Sequence, residues 1–568
     1  MQILKQTAAE LISSAIGTLF SPAELSATEL ATMLEYPPDG AMGDLALPCF
    51  KLSKSLRRSP MEIASRLAET LSHPAFASIE AVGGYLNFKK DASAFAARVV
   101  NTVLSVGDTY GAPTVGEGKT VVLDYSSPNV AKPFHIGHLG TTVIGHSLKL
   151  LHEFAGYKCI GINHLGDWGT QFGKLIVAYK KWGNREEIEE KEIDALVALY
   201  VRFHAEAEND PSLNDEARAA FARLEQHDEE SMALWRWFIE ISLREYNKTY
   251  RMLGISFDSY NGESFYTDKM PKQIEKIREA GILEIDDGAS VVNLEKWNMP
   301  PCLILKRDGS TLYPTRDIAA AVYRKETYDF EKCIYVTSAG QCLHFAQWFK
   351  VLEMMGYPWY KGLVHVPYGT VSIGGEKLAT RTGNVILLKD LFAQAIEKVK
   401  GIMKEKNTSA GDDVAEKVGV GAIIFYYLSN NRMRDINFVM EDALSFDGNT
   451  GPYAQYTYAR TCSLLEKANG AGTEAKPIAM TDEEAELARV LSRFPETVSA
   501  ALAEYEPSVV TRYILELCAA FNRFYHECQI LSATDAAVKE NRLAFTRATK
   551  TVLGRALSLI CMPTPEKI

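Results

Sequence analysis

Residues 120–139 read TVVLDYSSPNVAKPFHIGHL, and this stretch decides the fold. Residues 120–125 form a short apolar run rich in β-branched side chains, which is typical of a buried strand. Residues 126–129 contain Ser, Pro and Asn and predict a turn. Apolar residues then recur at helical spacing, at Ile136, Leu139, Val143, Leu148 and Leu151. A strand, a turn and a helix in this order predict the first βα step of a nucleotide-binding α/β fold.

Two histidines, His135 and His138, stand three residues apart where this helix is predicted to begin. The spacing puts both side chains on one side of the first turn. A helix N-terminus adds unpaired N–H groups and a partial positive charge, and Gly137 lets a nucleotide approach the backbone closely. Lys132 supplies a full positive charge just before them. The pattern indicates a phosphate-binding site, with two structural helix-cap histidines as the alternative.

The length of 568 residues predicts several compact units, and 47% hydrophobic with 23% charged residues is ordinary for a globular protein. Gly107, Gly111 and Pro113 indicate a linker, so we predict an N-terminal domain over residues 1–112. A catalytic domain is predicted over 113–440, and a charged helical insertion, expected to be solvated, over about 185–250. Residues 441–568 have a nearly all-helical pattern. Near the end of the first domain, residues 81–88 resemble one strand entered through glycines.

Composition excludes several classes of protein. The nine cysteines form no Cys-x-x-Cys pair, so neither a disulfide framework nor a zinc site is indicated, and we expect no protein-bound metal. No apolar run approaches the ~20 residues that span a bilayer, and the N-terminus lacks the layout of a signal peptide. We therefore expect a cytoplasmic protein without a membrane partner. The net charge of −11 argues against indiscriminate nucleic-acid coating, and no DNA partner is expected.

Three blocks together resemble one family, the class I arginyl-tRNA synthetases. These are residues 126–139 (SSPNVAKPFHIGHL), 163–173 (NHLGDWGTQFG) and 313–319 (YPTRDIA). The resemblance covers most of the chain. It implies a Rossmann-type parallel-sheet catalytic domain with a helical insertion. It also implies an α+β N-terminal domain and an all-α C-terminal anticodon-binding domain.

The resemblance also implies the reaction and its partners. L-Arginine and ATP, with Mg²⁺, give arginyl-adenylate, and arginine then passes to the terminal adenosine of tRNA(Arg). The implied catalytic residues are Lys132, His135, His138, Lys377 and Arg381. The implied arginine ligands are Asp124, Asn129, His135, Tyr313, Asp317 and Gln341, and the implied ATP ligands are His135, Gly137, His138, His344, Gln347 and Lys377.

Charge chemistry explains why arginine fits these residues. A guanidinium is planar, permanently charged and rich in donors, so a selective pocket needs carboxylates or other acceptors in a matching plane. Asp317 in the third block and Asp124 at the end of the first predicted strand meet this need. The alternative for Asp317 is a carboxylate that stabilises the N-terminus of the helix that follows it.

The second class I signature is degenerate. The loop over residues 374–384 stands where the family has its KMSKS sequence, and it carries Lys377 and Arg381 with Thr380 in place of the second lysine. Lys377 and Arg381 are expected to reach the β- and γ-phosphates of ATP. The resemblance implies that Lys132 compensates for the missing lysine. From the residues alone, the segment is only a flexible basic loop.

The tRNA is expected to contact both ends of the chain. Tyr85 and Asn87 match positions that hold a D-loop base at the tRNA elbow, with packing inside a strand as the alternative. Tyr453 and Tyr456 follow a glycine turn and predict base stacking, or else burial at a helix start. Arg547 and Lys550 belong to a basic run between 536 and 560, which predicts either phosphate contacts or a solvated face. The family resemblance implies a monomer.

Two rival functions stay open at this stage. One is another class I synthetase or a small nucleotidyl transferase with the same histidine chemistry, which the 313–319 block disfavours. The other is a non-catalytic paralogue that binds tRNA or a protein. His135, His138, Asn129 and Asp317 disfavour the second rival, whereas Leu378 and Ala379 in the loop leave it a small opening.

Overall fold

The computed structural model describes residues 2–21, 25–37, 42–373, 376–377, 386–405, 411–446 and 448–568. Its first part packs helices on a three-stranded antiparallel sheet of order β1-β3-β2. The strands are β1 (Leu45–Pro48), β2 (Phe76–Val82) and β3 (Tyr85–Lys90), and the helices are α1 (Gln2–Leu19), α2 (Ala27–Met33), α3 (Ser53–Leu56), α4 (Pro60–Thr70) and α5 (Ala92–Val106). The single strand predicted over 81–88 was wrong: Gly83 and Gly84 have φ angles of 57° and 86° and form the turn of a hairpin.

A four-stranded parallel sheet forms the centre of the chain, in the order β10-β9-β4-β5. Its strands are β4 (Thr120–Asp124), β5 (Lys158–Ile162), β9 (Lys332–Ser338) and β10 (Leu363–Tyr368), and its helices include α6 (Leu139–Phe154), α13 (Tyr313–Tyr328) and α14 (Cys342–Met354). Val121, Val122 and Leu123 of β4 are fully buried because helices cover both faces of the sheet. The predicted parallel-sheet α/β fold is confirmed.

Helices and a small sheet are inserted between β5 and α13. They comprise α7 (Thr170–Trp182), α8 (Arg185–Lys191), α9 (Ile193–Asn209), α10 (Ser212–Glu225), α11 (Glu229–Leu253) and α12 (Met270–Glu279), followed by the antiparallel strands β6 (Leu283–Asp286), β7 (Ala289–Val292) and β8 (Cys302–Leu305). The helical insertion was predicted to be solvated. Its charged side chains do lie outside, but the helices bury their own core around Phe203, Trp237 and Phe238.

A further set of elements joins the sheet to the C-terminal helices. These are β11 (Val371–Ile373), β12 (Glu376–Lys377), α15 (Leu388–Glu405), α16 (Asp412–Leu428), β13 (Ile436–Phe438) and α17 (Met440–Ala443). The C-terminal part is helical, as predicted: α18 (Gly451–Lys467), α19 (Asp482–Ser492), α20 (Phe494–Glu504), α21 (Ser508–Glu527) and α22 (Ala536–Leu559). Among the described residues, none of the helices combines the length and the apolar character that crossing a bilayer requires.

The predicted linker near residue 110 is not a free tether. Tyr110 is buried, its ring stacks on Phe494 at 6.3 Å, and its hydroxyl donates to the carbonyl of Leu491 at 3.2 Å. Just upstream, Asn101 exchanges two hydrogen bonds with the backbone of Ala475, of 2.8 and 2.7 Å. The connection therefore packs on the C-terminal helices, because its aromatic side chain finds an apolar site there.

Candidate active site

The loop that follows β4 has a strained backbone. Ser126, Ser127 and Ala131 have φ angles of 71°, 45° and 57°, in the left-handed region that residues with a Cβ rarely adopt. The Ser126 amide donates to Thr141 Oγ1 and the Ala131 amide donates to Ser242 Oγ, each at 3.0 Å. Such strain persists only where the surroundings fix it, and it is common at ligand sites.

The loop carries Asn129, which is exposed just beyond the carboxyl end of β4; the region at this edge of the sheet is called the cleft below. The backbone of Asn129 pairs with Gly166, and a Cβ on Gly166 would lie 2.0 Å from Asn129 Oδ1, so only glycine leaves room for this amide. Gln341 is exposed three residues after the end of the neighbouring strand β9. Because β4 and β9 are adjacent and parallel, Asn129 and Gln341 lie at the same edge of the sheet, where ligands of such folds bind.

The two histidines stand at the entry to α6 with fixed ring orientations. Their ring centroids are 4.1 Å apart. Nδ1 of His135 accepts a hydrogen bond from the Gly137 amide at 3.0 Å, and Nδ1 of His138 accepts one from the His135 amide at 3.2 Å. In a neutral ring the other nitrogen then carries the proton. Nε2–H of each ring is therefore the group available to donate to a ligand.

Burial keeps both rings neutral near pH 7. It lowers the pKa of His135 and lowers the pKa of His138 to about 3. Burial also lowers the pKa of Lys132, and the nearby Glu263 carboxylate opposes this effect. The histidines can thus donate hydrogen bonds to phosphate without a fixed charge, as the sequence indicated, while Lys132 supplies a charge. If the histidines were only structural helix caps, this would explain the hydrogen bonds to Nδ1 of each ring. It would not give a role to the Nε2–H groups.

The chain beyond the predicted KMSKS-like loop pairs with the histidine segment. The Ile136 amide donates to the Ile386 carbonyl at 3.0 Å, and the Leu388 amide donates to the Phe134 carbonyl at 2.9 Å. The backbone of Lys377 lies in β12, paired with Ser372, whereas its side chain and the whole of Arg381 lie outside the described residues. The roles of Lys377 and Arg381 stay predictions, and the end of their loop joins the histidine segment.

Helix α13 begins at the third sequence block and carries an acidic side chain into the cleft. Tyr313 is exposed at its first position. Oδ2 of Asp317, one turn later, accepts a hydrogen bond of 2.5 Å from Nε2 of His344 on α14. The Gln347 amide group donates to the carbonyls of Pro300 and Pro301 at 2.8 and 3.2 Å. The predicted arginine ligand Asp317 and the predicted ATP ligand His344 are thus direct neighbours.

Asp124 already has two partners within the chain. Its Oδ2 lies 2.8 Å from Nη2 of Arg324, and its Oδ1 accepts a hydrogen bond of 2.8 Å from the Ser127 hydroxyl. Arg324 is fully buried. The sequence analysis named Asp124 as a ligand of the substrate arginine, whereas in the structure Asp124 pairs with the guanidinium of Arg324. A direct contact of Asp124 with the substrate stays a prediction. Each of its two carboxylate oxygens already has one hydrogen-bond partner within the protein.

Glu263 is a site residue that the sequence reasoning missed. Its Oε2 lies 2.7 Å from Nη1 of Arg316, the residue before Asp317. Burial raises the pKa of Glu263 to about 7, Arg316 opposes this rise, and Asp167 and Asp317 reinforce it. The signal available in the sequence was Arg316 inside the 313–319 block, since a buried arginine there needs an acidic partner. Its partner, 53 positions away by residue number, could not be read from local spacing.

The residues predicted to contact tRNA have mixed surroundings. Tyr85 is exposed on β3, and its ring packs edge-on against Phe50 at 5.9 Å, whereas Asn87 on the same strand is half-buried. The Tyr453 hydroxyl accepts a hydrogen bond of 2.9 Å from Asn522 within the helical domain. Tyr456 is exposed. The exposed rings of Tyr85 and Tyr456 fit stacking, while Tyr453 is partly internal.

The basic run on α22 is less available for RNA than the sequence indicated. Its charges have partners inside the protein: Arg542 with Glu484, Arg547 with the carbonyls of Ala471 and Gly472, Lys550 with Glu566, and Arg555 with the carbonyl of Asp108. Arg547 in particular gives two donors, at 3.1 and 2.8 Å, to a loop of its own domain. These partners orient the basic side chains within the protein, and the phosphate contacts of Arg547 and Lys550 stay predictions.

The arrangement of potential metal ligands bears on whether side chains could hold a metal ion. Within the described ranges, no group of three or more His, Cys, Asp or Glu side chains is arranged to hold a metal ion. The carboxylates of the cleft are instead matched with arginines and a histidine.

Three family models match successive parts of the chain. They are described as the arginyl-tRNA synthetase N-terminal domain (residues 6–89), the catalytic domain of class I tRNA synthetases for arginine (99–440) and the DALR anticodon-binding domain (454–568).

Curated relatives and solved structures agree with these matches. The arginine–tRNA ligase of Alkaliphilus metalliredigens is 48% identical over 100% of both chains, and that of Clostridium perfringens is 50% identical over 96% of this chain and 97% of the other. The arginyl-tRNA synthetase structure from Thermus thermophilus matches with a TM-score of 0.79 at 24% identity over 100% of both chains. The one from Plasmodium falciparum matches with a TM-score of 0.74 at 23% identity over 100% of this chain and 99% of the other. At these identities the two structures support the fold.

Proposed function

The chain belongs to the class I arginyl-tRNA synthetases, and we propose that the cleft at the carboxyl ends of β4 and β9 carries out both steps of arginine–tRNA ligation. In the first step an oxygen of the arginine carboxylate bonds to the α-phosphorus of ATP, and the bond to pyrophosphate breaks. In the second, a hydroxyl of the terminal adenosine of tRNA(Arg) attacks the arginyl-adenylate, and AMP leaves. Neither step needs a nucleophile from the protein, so positioning and charge stabilisation supply the rate.

Phosphate binding is assigned to the entry of α6. We assign the Nε2–H groups of His135 and His138 to oxygens of the α-phosphate, where negative charge develops. Gly137 lets the nucleotide approach the backbone, and Lys132 supplies a positive charge. Lys377 and Arg381 are assigned to the β- and γ-phosphates. The substrate is proposed to be ATP with Mg²⁺, the ion that usually accompanies nucleotide phosphates and is ligated largely by phosphate and water oxygens.

Arginine recognition is assigned to the start of α13. Asp317 is proposed to pair with the guanidinium and Tyr313 to cover it. Asn129 and Gln341 are proposed to hold the α-amino and carboxylate end, and His135 to help fix the substrate. The contact between Asp317 and His344 carries this proposal, because it joins the arginine site to a residue assigned to adenosine. Gln347, on the same helix as His344, is proposed to lie near the adenosine. Asp124 is proposed to act on the substrate mainly through the loop that it holds.

The flanking domains are proposed to bind tRNA(Arg). Tyr85 and Asn87 are assigned to the elbow, and Tyr453 and Tyr456 to unpaired bases of the anticodon region, where aromatic stacking contributes ~1–3 kcal/mol per base. Lys550 stays a candidate phosphate contact. We further propose that the enzyme works as a monomer in the cytoplasm, in translation, without a membrane or DNA partner.

Aminoacylation of total tRNA tests the activity, and a structure with arginine tests the site. The purified chain, given Mg²⁺, ATP and tRNA, is expected to attach arginine and to leave lysine and citrulline unattached. These analogues leave buried acceptors unpaired or uncompensated, which can cost a factor of ~10⁴–10⁵. In a crystal structure with arginine, the guanidinium is expected to bond to Asp317. A guanidinium placed away from Asp317 and Tyr313 would refute the site assignment and leave the ligase activity standing.

A further inference from the structure

A fully buried guanidinium of the protein itself lies beside Asp124, one of the residues predicted to bind arginine. Arg324 is 1% exposed and lies on α13 seven residues after Asp317, so both project from similar sides of this helix. Its Nη2 lies 2.8 Å from Oδ2 of Asp124 and 3.5 Å from Nδ1 of His164. Its other two nitrogens are buried without hydrogen-bond partners, and the guanidinium lies over the ring of Tyr335 at 5.5 Å.

The ion pair also ties Arg324 to the loop that presents the substrate-binding groups. The Ser127 hydroxyl donates to Asp124 Oδ1 at 2.8 Å and accepts a hydrogen bond of 3.1 Å from the His164 amide. Ser127 lies in the strained part of the loop, two residues before Asn129. A continuous chain of contacts thus runs from Arg324 through Asp124 to this loop.

The ion pair between Asp124 and Arg324 affects where a cationic substrate can bind. Of four neighbouring carboxylates, Asp124 is paired with Arg324 and Glu263 with Arg316. Asp317 is bonded to His344, and Asp167 accepts hydrogen bonds from the amide and the hydroxyl of Ser264. Arginines are permanently charged, so the first two carboxylates are compensated before any ligand arrives. Asp167 and Asp317 lack a permanently cationic partner among these contacts, and of the two only Asp317 is accessible, since Asp167 is buried whereas the Asp317 side chain is 27% exposed. An incoming guanidinium can therefore gain most by pairing with Asp317.

We infer that Arg324 is a positioning residue for arginine: it occupies Asp124, holds the loop over 126–129 in shape, and so directs the substrate guanidinium to Asp317. The inference rests on the proposed location of the arginine site. Without Arg324, Asp124 would lose its partner and a cavity of guanidinium shape would open beside it. The substrate would then find a competing acidic site, and the loop would lose one of its anchors.

Substitution with chemical rescue tests this inference in the full-length enzyme. Arg324→Ala is expected to raise the KM for arginine by about tenfold or more while the KM for ATP stays within about twofold. Millimolar methylguanidinium is expected to lower the arginine KM of this variant by filling the cavity. In the native enzyme the same ion is expected to inhibit, in competition with arginine. The rescue should vanish in the double variant Arg324→Ala/Asp124→Asn, because the added ion needs the carboxylate.

The matched control is Arg218→Ala in the helical insertion, where an exposed arginine pairs with Asp215. We expect it to change neither KM nor the response to methylguanidinium. If Arg324→Ala is not folded, Arg324→Lys keeps the charge without the planar fork, and it is expected to raise the arginine KM severalfold with an unchanged KM for ATP.

Three results would overturn the inference: equal changes in both KM values, no change in either, or rescue that persists in the double variant. Asp317→Asn is measured in parallel. If that variant binds arginine normally, the proposed arginine site is itself wrong, whereas a defect in Asp317→Asn beside a normal Arg324 variant refutes only the role of Arg324.

Discussion

Replacing Asp317 by Asn removes one negative charge and leaves the shape of the side chain nearly unchanged. Asp317 is 27% exposed, and its Oδ2 lies 2.5 Å from His344 Nε2. Unpairing one member of a buried charge pair costs ~2–5 kcal/mol. Because a quarter of the side chain remains in contact with water, we take the lower part of this range, about 2–3 kcal/mol. At ~1.4 kcal/mol per tenfold change, this predicts a drop of roughly 30- to 150-fold in kcat/KM for arginine.

The assay is arginine-dependent exchange between ATP and pyrophosphate, with tRNA present in case activation requires it. The control is Asp329→Asn at the end of the same helix. This makes the same chemical change in a side chain that is 91% exposed and paired with Lys325. Exposed pairs contribute little, so the control should keep kcat/KM within about twofold of the native value. A value for Asp317→Asn within about threefold of native would refute the pairing of Asp317 with the substrate guanidinium.

Three further predictions concern the phosphate site, acid stability and tRNA binding. His138→Ala should slow single-turnover adenylate formation by ~10²–10³-fold without changing the circular dichroism spectrum, and an unchanged rate would count against its role. Burial lowers the pKa of His152 to about 4, so the stability that its neutral form contributes is present above pH ~6.5 and is lost as pH falls towards 4; His152→Gln should flatten this dependence in urea unfolding, and equal slopes would contradict the reasoning. Tyr456→Ala should weaken tRNA binding by ~1–3 kcal/mol, whereas Tyr260→Ala, an exposed tyrosine of the catalytic part, should not.

The parts of the fold that the sequence predicted correctly are the local ones. The strand, turn and helix over 120–154 follow from residues that are neighbours in the chain, so hydrophobic periodicity identifies them. The orientation of His135 and His138 is also local, since both rings are fixed by amides within three residues. The hairpin at 83–84 was missed because two glycines before an apolar run are compatible with a strand entry as well as with a turn.

The parts of the site that could not be predicted are contacts across the sheet. Asp124 and Arg324 are separated by 200 positions and meet because β4 pairs with β9, which directly follows α13. No spacing rule identifies the partner of a buried charge at such a distance. The same holds for Glu263 and Arg316, and for the internal partners of the basic side chains on α22. Residue types therefore identified candidate site residues, and only the topology showed which charged side chains already have a partner within the protein.

The packing of α5 and the following segment against the C-terminal helices constrains how the protein can bind a long RNA. The two hydrogen bonds between Asn101 and Ala475 and the stacked rings of Tyr110 and Phe494 join the two outer domains directly. If both domains contact one tRNA, as proposed, they form two RNA-binding surfaces whose separation and orientation are fixed. Binding of the RNA to one surface then raises its effective concentration at the other surface. The second contact costs little further orientational entropy, because the two surfaces are already oriented relative to each other. RNA molecules with a different distance between elbow and anticodon would bind only one of the two surfaces and dissociate.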